Sequence, residues 1–140
     1  MASEPGAEDE DVESRHIRLG RIGEDLAYHS LRQDGLKVLY RNFRAPNGGE
    51  VDIVCRDGET LVFVEVKTRS SEDFGRPMDA VDAEKQGLVA RGGIGWLRLL
   101  GFPKILIRFD VVEVIAAEGK VPEINRIADA FPLPEGYYLD

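Results

Sequence analysis

The sequence contains few of the residues that build several common kinds of protein. It has one cysteine, Cys55, and two histidines among 140 residues. A single cysteine excludes an intramolecular disulfide and suits the reducing cytoplasm, where we expect the protein to act. The two histidines, His16 and His29, are not spaced as a metal-binding pair, so we expect both to be structural or exposed.

Long apolar stretches are also missing. No run approaches the roughly 20 apolar residues that a membrane-spanning helix needs, so the sequence predicts no membrane partner. Residues 1–13 are acidic and lack the basic start and apolar stretch of a secretory signal. We predict a disordered acidic tail over residues 1–14, one folded domain over residues 15–131, and a C-terminal tail over residues 132–140.

The chain has no excess of basic residues, because its formal net charge is −8. The acidic excess lies near the two ends, however, and residues 14–129 hold 18 acidic and 18 basic side chains. The predicted domain is therefore close to neutral. A neutral domain can still carry a basic face, so the composition does not exclude a nucleic acid as the partner.

The order of helices and strands is clear from the sequence. Apolar spacing predicts a helix over residues 16–34, and β-rich runs predict strands at 36–44, 50–56 and 60–68, with turns between them. After a loop over residues 69–76 and a proline at 77, a helix over 79–100 contains glycines that predict a kink, and strands at 104–115 and 123–129 follow. This order predicts an α/β fold with a mixed sheet of four to five strands, at least one crossover, and flanking helices.

Carboxylates are concentrated on one face of the predicted central hairpin. Glu50 and Asp52 alternate with apolar residues on one strand, and Glu65 and Lys67 do so on the next. A two-residue turn places Glu50 opposite Glu65, whereas a loop over residues 57–60 places Asp52 there, and both registers keep the acids and the lysine together. Crowded carboxylates beside apolar groups need a cation, and a divalent metal such as Mg²⁺ meets that need better than Lys67 alone.

A longer ordered pattern includes these residues. It consists of Gly20-x-x-Gly23-Glu24-x-x-Ala27, Arg41-Asn42-Phe43-Arg44, Gly49-Glu50-Val51-Asp52, Phe63-Val64-Glu65-Val66-Lys67-x-Arg69, Lys85, and Arg108-Phe109-Asp110. Over roughly residues 16–115, the pattern resembles the YraN family of bacterial proteins, which are similar to Holliday-junction resolvases of the PD-(D/E)xK nuclease superfamily. Val51 stands where the superfamily signature has proline. The resemblance implies a restriction-endonuclease-like fold.

The resemblance also implies roles for individual residues. Asp52 and Glu65 would hold Mg²⁺ or Mn²⁺ together with the backbone carbonyl of Val66, and Glu24 would approach the metal from the first helix. Lys67 would orient or deprotonate the attacking water and stabilise charge on the phosphate. A metal suits this chemistry because it lowers the pKa of bound water and offsets developing negative charge. The predicted catalytic residues are therefore Glu24, Asp52, Glu65 and Lys67.

Basic side chains around the predicted site could follow the phosphates of a nucleic acid. They are Arg18, Arg21, Arg41, Arg44, Arg69 and Lys85. We expect any cleavage to depend more on Lys67 than on Lys85, because strand parity fixes only Lys67 beside the acids. Glu50 is expected to pair with a nearby arginine rather than to bind the metal.

Two functions are compatible with these residues. The first is a Mg²⁺- or Mn²⁺-dependent endonuclease that acts on branched or structured DNA, and the four acidic and basic site residues favour it. The second is a nuclease-fold module that binds nucleic acid within a DNA-processing assembly without useful catalysis. The acidic tail alone would suggest a third class, a protein-interaction domain. By analogy with junction resolvases, which need two active sites, the active form could be a homodimer.

Overall fold

The computed structural model describes residues 11–70 and 81–136, which form one mixed sheet with two helices. Along the chain the elements are α1 (Val12–Gln33), β1 (Lys37–Arg44), β2 (Glu50–Asp57), β3 (Thr60–Arg69), α2 (Ala83–Leu99), β4 (Ile107–Ile115) and β5 (Glu123–Phe131). The strands lie in the order β1, β2, β3, β4, β5, with β3 and β4 parallel and the other neighbours antiparallel. The predicted α/β fold with a mixed sheet and a crossover is confirmed.

The two helices cover opposite faces of the sheet. The core beneath α1 contains Ala27, Leu31, Ile53, Cys55, Val62, Val64, Val112 and Val114. The core beneath α2 contains Val54, Phe63, Val89, Ala90, Leu97, Phe109 and Val111. Strands that are buried on both faces read as continuous apolar runs, which explains the buried stretch at residues 61–64 of β3. Neither described helix is long and apolar enough to cross a lipid bilayer.

Helix α1 begins earlier than the sequence predicts. The carboxylate of Asp11 caps the helix by accepting a hydrogen bond from the backbone N–H of Ser14 at 2.7 Å. An N-cap aspartate satisfies one of the free N–H groups of the first turn and stabilises the helix. Residues 12–14, which we predicted as part of the acidic tail, are therefore helical. The remaining tail, residues 1–10, lies outside the described residues.

Other element ends differ from the prediction by a few residues. β4 begins at Ile107 rather than at residue 104, and β5 continues to Phe131 rather than to residue 129. The following segment was predicted as a tail, but Leu133 packs against the core beneath α2. The predicted loop over residues 69–76 and helix start near residue 77 fall mainly on residues 71–80, outside the described part of the chain.

Helix α2 is continuous over Ala83–Leu99, so the glycines, which suggested a kink or break, do not interrupt it. The glycines instead allow close packing on the sheet. A Cβ atom added at Gly92 would lie 2.7 Å from Cγ2 of Val51, and one added at Gly93 would lie 2.9 Å from the ring of Phe63. The backbone of α2 therefore lies directly on β2 and β3, which brings the start of the helix close to both strands.

A fully buried carboxylate ties β4 to β5 on the side of the sheet that α1 covers. Asp110 is 0% exposed. It accepts hydrogen bonds from Nε and Nη2 of Arg108 at 2.8 and 3.0 Å, from Nη1 of Arg126 at 3.3 Å, and from the backbone N–H of Asp129 at 2.9 Å. Arg126 also bonds Asp34, which follows α1. Both oxygens of Asp110 are thus satisfied by donors from within the fold.

Candidate functional site

The predicted acidic residues meet where β2 and β3 separate. The antiparallel pairing of these strands ends at the pair formed by Ile53 and Val64. This is the register that we predicted for a loop over residues 57–60, although Asp57 pairs with Thr60 and only Gly58 and Glu59 form the turn. Asp52 and Glu65 are the next residues along the two strands. Beyond the Ile53–Val64 pair, the Asp52 carboxylate replaces the β2 backbone by accepting a hydrogen bond from the N–H of Val66 at 2.8 Å. We call this opening, defined by Asp52, Glu65 and Val66, the β2–β3 fork.

The start of β2 interrupts the regular alternation that the sequence suggests. Val51 and Val54 both lie in the core beneath α2, although they are three residues apart, while Ile53 lies in the core beneath α1. On the neighbouring strand, Asn42 has a φ of 56°. Positive φ in a non-glycine residue marks a local irregularity of the strand. Strand parity alone therefore does not place Asp52, which is reached by groups from both helices.

Glu65 and Asp52 form a carboxyl pair in which Glu65 is buried and Asp52 is half-buried. Glu65 is 6% exposed, and burial together with the nearby charge of Asp52 raises its pKa to about 8. Burial also raises the pKa of Asp52, although hydrogen bonds from the Val66 backbone and from Glu65 act in the opposite direction. The two carboxyl groups thus share a hydrogen bond, so the pair keeps a proton near neutral pH when no additional cation offsets its charge.

Lys85 of α2 is a cation that contacts this pair directly. Its Nζ lies 3.3 Å from Oε1 of Glu65, and its side chain is 47% exposed. The helix cap Asp82 accepts a hydrogen bond from the backbone N–H of Lys85 at 2.9 Å, which fixes this backbone in the first helical turn. The charge of Glu65 raises the pKa of Lys85. The sequence suggested that Lys85 could reach the site or a phosphate from the second helix, but it did not predict this ion pair.

Lys67, the lysine predicted to be catalytic, lies on β3 two residues beyond Glu65 and is half-buried. It is paired in the sheet with Glu113 of β4, but the carboxylate of Glu113 forms an ion pair with Arg69. Within residues 11–70 and 81–136, Lys67 itself has no ion-pair partner. Its ammonium group is therefore not neutralised by a described carboxylate, as a role toward substrate or water requires.

Glu24 reaches the fork because α1 lies unusually close to β3. A Cβ atom added at Gly23 would lie 1.8 Å from Oγ1 of Thr68, so only glycine allows this contact. Burial and the charge of Asp52 raise the pKa of Glu24. Its Oε1 is buried and has no hydrogen-bond partner among the described residues. Burying a carboxylate oxygen without a hydrogen-bond donor costs free energy, and a bound cation would remove that cost.

A small polar cavity opens beside the fork. Its volume is about 160 Å³, and it is lined by Glu24, Asn42, Phe43, Arg44, Glu50, Val51 and Asp52. At about 30 Å³ per water molecule, this space holds a cation with several waters. Glu50 pairs with Arg44, with Oε1 and Nη1 3.9 Å apart, as the sequence predicted. Asp52 and Glu24 thus line the same cavity, whereas Glu65 and Lys85 are not among its lining residues.

The fork fits a divalent cation by donor chemistry but is not assembled around one. No three of the described Asp, Glu, His and Cys side chains form a ready metal cluster. Asp52 and Glu65 nevertheless offer carboxylate oxygens, and the carbonyl of Val66 lies on the same edge of β3 as the N–H that bonds Asp52. Mg²⁺ takes one or two carboxylates and keeps several waters, so this donor set suffices. Binding would require the carboxyl pair to lose its proton.

The predicted phosphate-binding side chains differ in their availability. Arg41 is ion-paired to Asp25 at 2.8 Å, and Arg69 is ion-paired to Glu113, so the charges of both arginines are already partly offset. Two others lie exposed on α1, namely Arg18 and Arg21. Arg44 of β1 is also exposed, at 81% of its side chain, and lines the cavity beside the fork.

A mixed five-stranded sheet with two flanking helices and an acidic fork defines an α/β protein with a candidate cation site. Residues 23–114 match the model of the uncharacterised protein family UPF0102, and the chain belongs to this family. The resemblance to the YraN family is thus confirmed. The matched segment contains every carboxylate and lysine of the site described above.

Individual relatives cover most of the chain. A UPF0102 protein of Geotalea daltonii is 44% identical over 115 residues, which is 82% of this chain and 90% of the relative. One from a Parafrankia species is 50% identical over 97 residues, covering 69% and 81% respectively. One from Rhodococcus jostii is 40% identical over 118 residues, covering 84% and 99%. The similarity therefore extends over nearly the whole length of these proteins.

Proposed function

We propose that the protein is a divalent-metal-dependent endonuclease that hydrolyses phosphodiester bonds in branched or otherwise structured DNA. The observation that carries the proposal is the β2–β3 fork, where the half-buried Asp52 and the buried Glu65 share a hydrogen bond and have raised pKa values. Perturbed titratable groups in a cleft are typical of functional sites. A divalent cation would offset the excess negative charge and would allow the phosphates of a polyanionic substrate to approach.

The site residues take the following roles in this proposal. Asp52, Glu65 and the carbonyl of Val66 would hold Mg²⁺ or Mn²⁺, and Glu24 lines the same cavity as Asp52. When bound, such an ion lowers the pKa of water and offsets charge on the phosphate. Lys67 would either orient the attacking water as an ammonium group, with the water's proton passing to solvent, or accept that proton as a neutral amine. The water oxygen bonds to phosphorus as one ester bond breaks, and the leaving oxygen is protonated from solvent.

A nuclease-fold module that binds DNA without useful catalysis is the second candidate. The absence of a ready metal cluster among the described side chains favours it, as do the ion pairs of Arg41 and Arg69. For either candidate we propose the cytoplasm as the compartment and structured DNA as the partner. On a four-way junction, a homodimer would supply the two sites that symmetric cutting needs.

A cleavage panel tests the proposal. Single-stranded, duplex, flap and four-way-junction DNA are incubated with the full chain in Mg²⁺ or Mn²⁺, beside the variants Asp52→Asn and Glu65→Gln. The matched control is Glu59→Gln, because Glu59 is an exposed acid at the β2–β3 turn. We expect cleavage of at least one branched substrate, reduced about 100-fold or more by each site variant, since metal positioning is lost, and unchanged in the control.

Each other outcome of the panel has a definite meaning. Cleavage that survives both site substitutions would place the active site elsewhere. DNA binding at low and moderate salt without any cleavage would favour the binding module. Absence of binding even at low salt would contradict both candidates, because phosphate contacts are strongest there.

A further inference from the structure

We propose that Lys85 takes the place of a divalent cation at the β2–β3 fork. In the metal-free protein its ammonium group balances the charge of Glu65 and Asp52, and it is released toward a substrate phosphate when a divalent cation binds these carboxylates. This inference rests on the proposed function and adds a switching role for one residue of α2. It goes beyond the expectation that Lys85 reaches the site or a phosphate.

The contact geometry supports the first half of the proposal. Nζ of Lys85 lies 3.3 Å from Oε1 of Glu65, whose side chain is 8% exposed. The electrostatic neighbours of Lys85 also include Asp52 and Glu50. A divalent cation on the fork would thus bind the same carboxyl groups that Lys85 balances. Two cations on one carboxyl pair repel each other, so binding of the metal and retention of the lysine contact oppose each other.

The mobility of the side chain supports the second half. Lys85 is 47% exposed, whereas its partner Glu65 is buried, so only the lysine can leave without unpacking the core. Its backbone stays fixed because Asp82 caps the helix through the N–H of Lys85. A lysine side chain is long and flexible on such a fixed base. The released ammonium group therefore stays close to the fork, where a phosphate bound to the metal would lie.

The proposal predicts opposite effects of one substitution on two ligands. Removing the charge of Lys85 should tighten divalent-cation binding, because a competitor is lost. The same change should weaken DNA binding, because one phosphate contact is lost. If Lys85 only supported the structure, its substitution would weaken the binding of both ligands or leave both affinities unchanged. The signs of the two changes in affinity therefore distinguish the two roles.

The first measurement is calorimetric titration of the full chain with Mn²⁺ in the absence of DNA. The variants are Lys85→Met, Lys85→Arg and, as a control with the same charge change, Lys104→Met, because Lys104 is exposed in the loop between α2 and β4. We expect Lys85→Met to bind Mn²⁺ about tenfold more tightly than the parent. Lys85→Arg keeps the charge and should bind like the parent, and Lys104→Met should change the affinity by less than about twofold.

The second measurement is binding of a fluorescent four-way junction, with Ca²⁺ in place of Mn²⁺ because both are bound by oxygen ligands. Lys85→Met should bind the junction about five- to tenfold more weakly and reduce the salt slope by about one. Lys104→Met should match the parent. Lys85→Gln provides an independent neutral variant for both titrations if the methionine variant does not fold.

The outcomes separate this inference from the proposed function. A parent chain that binds no Mn²⁺ would overturn the metal site and, with it, both proposals. If the parent binds Mn²⁺ but the neutral Lys85 variants bind it equally or more weakly, Lys85 does not compete with the metal. That result would overturn this inference and leave the metal site in place. Tighter metal binding without weaker junction binding would contradict the release of Lys85 to the phosphate.

Discussion

Asp110 and Glu65 are buried carboxyl groups of one sheet, and Asp52 beside Glu65 is half-buried, but their surroundings differ. Asp110 is bonded directly by the guanidinium groups of Arg108 and Arg126 and by a backbone N–H. The two arginines also contact Asp57 and Asp34, but those carboxylates are close to half-exposed, so Asp110 is the buried charge that they offset. The carboxyl pair at the fork has one half-exposed lysine, and the two groups also face each other. Asp110 and Glu65 are therefore both buried, but only the charge of Asp110 is offset by cations fixed within the fold.

The difference separates a structural role from a ligand-binding role. A buried charge that is fully paired within the fold needs no further partner, and losing one member of the pair is costly. Buried acids that lack cations take up a proton instead, which raises their pKa. The fork therefore has capacity to exchange a proton for a cation, and Asp110 does not. Three measurements on the folded protein examine this contrast.

The largest expected effect is that of Asp110→Ala. The substitution leaves two mostly buried guanidinium groups without their carboxylate, so we expect it to lower the free energy of unfolding by about 3–5 kcal/mol. Urea unfolding of the two proteins measures the loss. The control is Asp34→Ala, since Asp34 is 45% exposed and its ion-pair partner among the described residues is Arg126. Its loss should stay below about 1 kcal/mol. Similar small losses in both variants would mean that Asp110 is not a structural centre.

The second effect is the pH dependence of stability that Glu65 causes. Its pKa is raised to about 8 in the folded chain from 4.5. The folded state therefore keeps a proton that the unfolded chain releases, so this stabilisation is complete below pH 4.5 and is lost as the pH rises through 8. In metal-free buffer we expect the free energy of unfolding to fall by about 2–3 kcal/mol between about pH 5.5 and about pH 8.5.

Glu65→Gln tests this assignment, because glutamine cannot release a proton and should remove that part of the fall. The exposed Glu59→Gln variant should keep it. Denaturant unfolding at a series of pH values gives the comparison, and millimolar Mg²⁺ should restore the parent at the alkaline end through binding to the native state. If the parent and Glu65→Gln lose stability in parallel, the titrating group lies elsewhere.

The smallest expected effect concerns the helix that brings Glu24 to the fork. Gly23→Ala would place a methyl group against the side chain and Cβ of Thr68, so we expect a loss of about 1–2 kcal/mol and weaker metal binding. Gly20→Ala is a matched control on the same helix, because a Cβ there meets nothing within 4 Å. That variant should gain about 0.5–1 kcal/mol. Thermal unfolding with and without Mn²⁺ measures both effects, and a gain in both variants would rule out close contact between α1 and β3.

Much of this molecule follows from local sequence signals. The turns around β2 are recognisable because their glycine, proline and asparagine residues favour specific backbone conformations. Asp52 and Glu65 could be placed together because each of the two possible registers keeps them close. The start of α1 was misplaced because Asp11 lies within an acidic run, where a capping residue does not stand out.

The remaining features depend on contacts between residues that are distant in the sequence. Lys85 and Glu65 belong to different elements, and nothing in the local pattern of α2 indicates their ion pair. The glycines of α2 look like helix breakers until the sheet that they touch is known. Similarly, the sequence pattern included Asp110 but gave it no role, because Arg126 approaches it from β5.

The hydrogen bond from the N–H of Val66 to Asp52 gives this side chain a role in the sheet as well as in the site. The side chain completes the main-chain pairing of β3 at a point where β2 has turned away, so it belongs to the sheet as much as to the site. Alanine at this position would remove an acidic group and also leave a main-chain donor without its partner, which costs about 1–3 kcal/mol. Asparagine retains an acceptor oxygen and removes the charge alone. Asp52→Asn therefore tests the chemistry of the site while the hydrogen bond to the sheet is kept. Asp52→Ala changes both at once.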